Sequence, residues 1–256
     1  MQICMRKLSS ALVFSMLAAS ARADAQTFFG QDLNWVLNGS PLAGSNSLAA
    51  RNNFLSNLSG VGTENFDGFS VGSGAPLGLN FAGAGTATLT NNGAVSNVTA
   101  SGRKATSGSN FWQLSTGSSG SQFNIKFSSA IAAFGMYGVD VGDYGDQLTM
   151  SFFNNNVAGG TWSPVHGLGG EGRGANDGNL NFFGYINTVN LFDEIRFSSV
   201  NAIPNNGADF WGFDDMTIGS RQQVSTVPEP SSVALFATGL IGLVAVGCRR
   251  KKVTQS

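Results

Sequence analysis

Cysteine is nearly missing from this 256-residue chain, and the two present, Cys4 and Cys248, lie close to its ends. The long middle therefore has no disulfide to stabilise it and no thiolate nucleophile or ligand. Histidine is as scarce, with His166 alone. Zinc held by His and Cys, and a Cys–His catalytic pair, are excluded on that count. No serine sits in a nucleophile elbow. The glycine-rich run Gly167 to Gly174 is not followed by Lys-Ser/Thr, so it is not a phosphate loop. Carboxylates occur without a recognisable pairing motif for glycoside cleavage. The expectation is that the chain is not an enzyme.

Charge is sparse too. Charged residues make up 11% of the chain, and between Gln26 and Val227 seven basic residues face thirteen acidic ones, a net charge of −6. A domain this acidic excludes nucleic acid as a partner, which requires basic surface. A sustained helical period is also lacking, and Leu42 to Leu58 comes nearest to one.

What the middle does contain is Gly, Asn, Ser and Thr, with Phe as its main large apolar residue, a composition suited to strands and turns. Strand-like alternation recurs at Leu79–Phe81, Thr86–Thr90, Val95–Thr99, Phe123–Phe127, Ile131–Val139, Leu148–Phe152, Phe182–Ile186, Ile195–Phe197 and Met216–Ile218. Turn clusters such as Asn91-Asn92-Gly93, Asn154 to Asn156 and Asn205-Asn206-Gly207 punctuate it. The pattern predicts an all-β fold, an antiparallel β-sandwich or jelly roll over residues 63–220. Residues 26–62 read as an irregular N-terminal section, Gly167 to Asn179 as a long loop, and 221–227 as a linker. About 200 residues suffice to build a core.

The sandwich is flanked by two apolar segments. Arg6 and Lys7, the apolar run Leu8 to Ala19 and the small-x-small pattern Ala23-Asp24-Ala25 make residues 1–25 a signal peptide, a short signal helix for the Sec export machinery. At the other end an uncharged stretch, Ser231 to Cys248, precedes Arg249-Arg250-Lys251-Lys252. Its apolar part, Val233 to Gly247, is short for a bilayer but spans one as a C-terminal transmembrane helix if its flanks enter the interface. The four cations hold the C-terminus in the cytoplasm and leave residues 26–230 outside. The expected location is the inner membrane at first, then the cell surface or beyond.

Val227-Pro228-Glu229-Pro230, two serines, a short Leu/Gly/Ala-rich span and a basic cluster, in that order over 228–252, resemble the PEP-CTERM sorting signal. The resemblance implies that Pro228, Glu229 and Pro230 are recognised by exosortase, a transpeptidase-like membrane protease that cuts nearby. Arg249, Arg250, Lys251 and Lys252 would then be the stop signal. Asp209 to Gly219 resembles the last strand of jelly-roll ectodomains in this protein class, and Glu64 to Phe69 resembles an opening strand.

Two acidic groups could hold a structural Ca²⁺, which takes six to eight oxygen ligands. Asp140, Asp143 and Asp146 recur at spacing three; the plain alternative is a solvated hairpin turn. Asp214 and Asp215 lie in the last predicted strand, where strict alternation turns Asp214 inward unless a β-bulge intervenes. By likeness to jelly-roll carbohydrate-binding modules, Glu64 or Asp67 would join that pair around one ion. Trp112, Tyr144, Trp162 and Trp211 are candidates for stacking on sugar, although core packing explains each Trp equally well. The expected role is a non-enzymatic envelope or matrix protein associated with exopolysaccharide in biofilm. A calcium-dependent carbohydrate-binding module is the alternative, and a secreted polysaccharide-degrading enzyme the second.

Overall fold

The computed structural model describes residues 25–33, 35, 42–100, 102–115, 123–142, 147–164, 178–200 and 210–225. In chain order its strands are β1 (Gln26–Asp32), β2 (Thr63–Glu64), β3 (Leu77–Phe81), β4 (Gly85–Thr90), β5 (Ala94–Ser96), β6 (Phe111–Ser115) and β7 (Phe123–Ile131). There follow β8 (Ala133–Val139), β9 (Gln147–Asn154), β10 (Val157–Trp162), β11 (Leu180–Ile186), β12 (Phe192–Val200) and β13 (Phe210–Gly219). One helix, α1 (Asn46–Ser56), lies between β1 and β2. The signal peptide and the tail span lie outside the described residues. Among the described residues no helix is long and apolar enough to cross a membrane.

The strands form two antiparallel sheets. The first runs β1-β11-β8-β13-β6-β5, with β2 paired to β13 beyond the end of β6; the second runs β10-β9-β12-β7-β4-β3. They pack face to face, and Phe residues from facing strands meet across the gap: Phe134 on Phe197, Phe123 on Phe213, Phe152 on Tyr185. Seven of the nine predicted positions fall within single strands; Val95–Thr99 overlaps β5 only at Val95 and Ser96, and Ile131–Val139 is broken at Ala132 between β7 and β8. β1, β2, β6 and β10 were not among them.

Sheet one is buried on both faces. Every residue of β8 and of β11 is buried. Phe134, Met136, Phe183 and Tyr185 face the second sheet, whereas Tyr137, Val139, Leu180 and Phe182 join a second apolar cluster with Phe28, Trp35 and Phe54. Strands buried on both faces lose the alternation of half-buried ones and read as continuous apolar runs.

That second cluster corrects the expectation for residues 26–62. They are no irregular preface: β1 is an edge strand paired along its whole length with β11, and α1 packs on the outer face of the sheet. Only Ser47 and Phe54 of α1 are buried, so the helix carries almost no amphipathic signal. It is positioned at its start by Asp32, whose carboxylate accepts the N–H groups of Asn46 (2.8 Å) and Ser47 (2.9 Å) and the Ser47 hydroxyl (2.6 Å). A carboxylate on the first free N–H groups of a helix satisfies donors that have no partner within it. Nearer the other end, Phe54 enters a slot made by the cross-strand pair Gly135–Gly184. A Cβ on Gly135 or Gly184 would come within 2.7 or 2.9 Å of the Phe54 ring.

The expected linker 221–227 also differs in part. Arg221–Gln223 is a 3₁₀ turn, and the Gln223 amide donates to the carbonyls of Gly60 (2.6 Å) and Ala82 (3.0 Å). These bonds tie the chain after β13 back onto the sandwich.

Because α1 has one large anchor, Phe54→Ala is expected to lower stability by about 3–5 kcal/mol. Chemical denaturation should read this as a lower midpoint.

Candidate functional site

Four of the acids singled out as cation ligands, Asp67, Asp140, Asp214 and Asp215, lie around one loop, Gly102–Asn110, which leads into β6. β13 has a register shift between Asp214 and Thr217, where two residues of β13 oppose one of β8. The extra residue falls where the neighbour of β13 changes from β6 to β2. Asp215 takes up the strain, with φ of 48°. Trp211 and Phe213 on one side of the bulge, and Met216 and Ile218 on the other, all face the inter-sheet core. The bulge thus turns Asp214 away from that core, the possibility raised by the sequence. The other face is not open to solvent there, because the loop covers it.

Asp214 Oδ2 accepts the Thr106 N–H (2.6 Å), the Thr106 hydroxyl (2.7 Å) and the Ser107 N–H (3.3 Å). Its Oδ1 accepts the N–H of Asp215 (2.8 Å). The Ser107 hydroxyl donates to Asp215 Oδ1 (2.6 Å), and Thr106 Oγ1 lies 3.1 Å from Asp215 Oδ2. At the far end of the loop Asp67 Oδ1 accepts the N–H groups of Ser109 (2.8 Å) and Asn110 (2.9 Å). At the near end Arg103 Nη1 is 4.0 Å from Asp140 Oδ2, and Asp140 Oδ1 accepts the Gly178 N–H (2.8 Å). Asp140 is buried at the end of β8, not a solvated turn residue. Glu64 turns to its own neighbour and accepts the Phe66 N–H (2.7 Å).

The pair carries a distinctive charge state. Burial, and next the charge of Asp215, push the Asp214 carboxyl up to about 7 against the hydrogen bonds from Thr106 and Asp215, which pull the other way. Burial likewise raises the Tyr137 phenol above its ordinary value; Arg51 opposes the shift, and Asp215 and Asp32 add to it.

Around this loop the described acids serve as hydrogen-bond acceptors. Ca²⁺ needs several oxygens converging on one point. Here the oxygens of Asp67, Asp214 and Asp215 converge instead on N–H and O–H groups of the loop. Among the described residues no group of three or more His, Cys, Asp or Glu side chains could hold a metal ion. Asp143, Tyr144, Asp146 and His166 lie outside the described residues. Thr106, Ser107, Ser109 and Asn110 escaped the sequence reading. Their run of hydroxyl and amide side chains is the visible signal, but its acidic partners are 40 to 110 residues away in the chain, as in Asp67–Ser109 and Asp214–Thr106.

The tryptophans divide cleanly. Trp112 and Trp211 are buried in the inter-sheet core, so neither offers a face to a sugar; the sandwich needs their bulk inside. Trp162, at the end of β10, is only partly buried. Its ring stacks over Tyr185 at 6.3 Å and 28°, and meets Phe183 edge-on at 6.4 Å.

Residues 226–251 match the family model described as the PEP-CTERM protein-sorting motif. The chain carries a PEP-CTERM tail. The match takes in Pro228, Glu229, Pro230, Arg249, Arg250 and Lys251, and Lys252 follows directly. The PEP-CTERM tail implies an exported protein, membrane-anchored before processing and sorted by exosortase. No curated protein matches the chain. Among solved structures, the K2 cleaved adhesin domain of Lys-gingipain is 16% identical, with a TM-score of 0.36 over 62% of this chain and 97% of that one. A mutant of CBM29-2, from the family 29 carbohydrate binding modules, is 15% identical, with a TM-score of 0.25 over 66% and 96%. Likenesses this low support no functional assignment.

Two outcomes follow from the loop. Gly108 has φ of 61° and its missing Cβ leaves room for the Asp67 carboxylate, so Gly108→Ala is expected to cost about 1–3 kcal/mol in denaturant titrations. Asp214 has its carboxyl raised on folding, so its share of stability is complete below about pH 4 and is lost as pH rises towards about 7. Asp214→Asn imitates the protonated form. The Tm of that variant relative to wild type should climb between those two pH values and level off above them.

Proposed function

We propose that this is a non-enzymatic protein of the cell envelope or extracellular matrix, delivered by its PEP-CTERM tail to work by association with exopolysaccharide. The tail, at residues 226–251, is the observation that carries the reading. The state of the acids supports it: those of the described site are engaged by backbone and hydroxyl donors, an arrangement that stiffens a surface instead of presenting a reactive pair. A general acid and base for glycoside cleavage would need two carboxyls facing each other across an open cleft. Asp214 and Asp215 sit side by side under a loop. Export would begin at the signal peptide through the Sec machinery, and exosortase would act at Pro228-Glu229-Pro230 while the span holds the chain in the inner membrane with its C-terminus in the cytoplasm.

In the host, wild-type protein is expected at the surface or outside the cell with a shortened tail, extracting together with polysaccharide. Replacing Pro228, Glu229 and Pro230 by alanine should leave a full-length form in the membrane fraction, as judged by mass spectrometry of each fraction. Normal shortening of that variant would count against sorting by exosortase.

A further inference from the structure

We propose that the open edge of the sandwich between β1 and β10 is a polysaccharide-binding platform, on which the Trp162 indole stacks against the apolar face of a pyranose ring. This rests on the association with exopolysaccharide proposed above and gives it a location.

β1 and β10 are the edge strands of the two sheets at the same side of the sandwich, since β11 and β9 beside them meet through Tyr185 and Phe152. From the core outward, three rings lie nearly parallel there. Phe152 stacks on Tyr185 at 4.0 Å and 16°, and Tyr185 stacks on Trp162 at 6.3 Å and 28°. Phe152 and Tyr185 are buried, whereas Trp162 is partly exposed. The stack therefore ends at the surface on an indole backed by a ring, and the C–H face of a sugar is a shape that continues it. The ring beneath the indole is held in place by hydrogen bonds. The Tyr185 hydroxyl accepts from Asn187 Nδ2 (3.3 Å), and Asn187 Oδ1 in turn accepts the N–H groups of Val189 and Asn190. A side chain held in place loses less freedom on binding.

The surroundings match a ligand with flat apolar faces and a rim of hydroxyls. Phe29 of β1 is 36% exposed and packs on Phe183, the same ring that Trp162 meets edge-on. Along β1 the register sets Thr27 opposite Tyr185, Phe29 opposite Phe183 and Gln31 opposite Asn181, so the exposed part of the aromatic row is bounded by the Thr27 hydroxyl and the Gln31 amide. Asn181 lies fully buried beneath this row. β10 contains no charged residue, and the one acid of β1, Asp32, is engaged by α1. The edge thus suits a neutral glycan.

An added peptide strand is the competing occupant of any sheet edge. β10 is poorly shaped for it. Its register shifts between Ala158 and Gly160, and Gly160 has φ of 140°, so the row of N–H and C=O groups a new strand would need is interrupted.

Affinity electrophoresis through gels containing the host's exopolysaccharide, cellulose, xylan or dextran tests the proposal with the intact exported protein. Wild type is expected to be retarded by at least one of these glycans. Trp162→Ala should weaken retardation by roughly tenfold, Phe29→Ser should weaken it to a smaller extent, and Trp162→Phe should recover part of the loss. Val157→Ser, at an exposed position on the same strand, should behave as wild type. Far-UV circular dichroism and Tm identify any variant that fails to fold, and the exposed Phe29 position keeps the test decisive if Trp162→Ala is one of these. Folded Trp162 and Phe29 variants that bind as tightly as wild type would overturn the platform and leave the association standing. Wild type passing freely through every gel would overturn both.

Discussion

Throughout this domain a carboxylate accepts hydrogen bonds from backbone N–H groups that have no partner in a sheet. Asp32 does so at the start of α1, Glu64 at Phe66, Asp67 at Ser109 and Asn110, Asp140 at Gly178, Asp193 at Asn155, and Asp214 at Thr106, Ser107 and Asp215. Where the acid is ionised, such bonds are roughly twice as strong as neutral ones. Asp214, whose carboxyl is pushed up to about 7, is the exception, because folding favours its protonated form. Together these bonds let a domain with few cations and no disulfide fix its connections from within. The described acids thus serve the connections of the fold as well as its surface.

The same interaction explains how sheet one can be buried on both faces. Its inner face is covered by a second sheet rich in Phe. Its outer face is covered by two small pieces, a helix with one buried aromatic and a loop of small polar residues. Neither could stay in place by apolar burial alone. Each is held by acids projecting from the sheet: Asp32 for the helix, Asp214 and Asp215 for the loop. The bulge in β13 is what presents the latter two together.

Much of this was legible in the sequence, and the failures have physical causes. β3, β4, β7, β9 and β12 face the core on one side and show alternation, whereas β8 and β11, buried on both faces, are legible as apolar runs. β10 was missed because Val157 to Trp162 is mostly exposed and contains two adjacent glycines. β1 is not legible because its pattern is short, with only Phe28 and Gly30 buried. α1 was seen only as a faint helical stretch, since its anchoring depends on Gly135 and Gly184, far along the chain. The acids were recognised as special, and Asp214 was recognised as needing a bulge or partners. Their hydrogen-bond partners are not legible in the sequence, because Thr106 and Ser107 come beside them only when β6 and β13 pair. The tail could be read outright, since its meaning resides in residue order and not in folding.

The central position of β13 bears on how the protein is made. It is the last strand among the described residues, yet it joins β8 on one side to β6 and β2 on the other. Until it arrives, sheet one is two unconnected halves with exposed strand edges and bare aromatic faces. The sorting motif starts at residue 226, a few residues past Gly219. Translocation must therefore deliver almost the whole exported chain before the sandwich can close. Completion of the fold is thus tied to the stretch of chain that adjoins the sorting motif, and a truncation inside β13 would leave both halves of sheet one open.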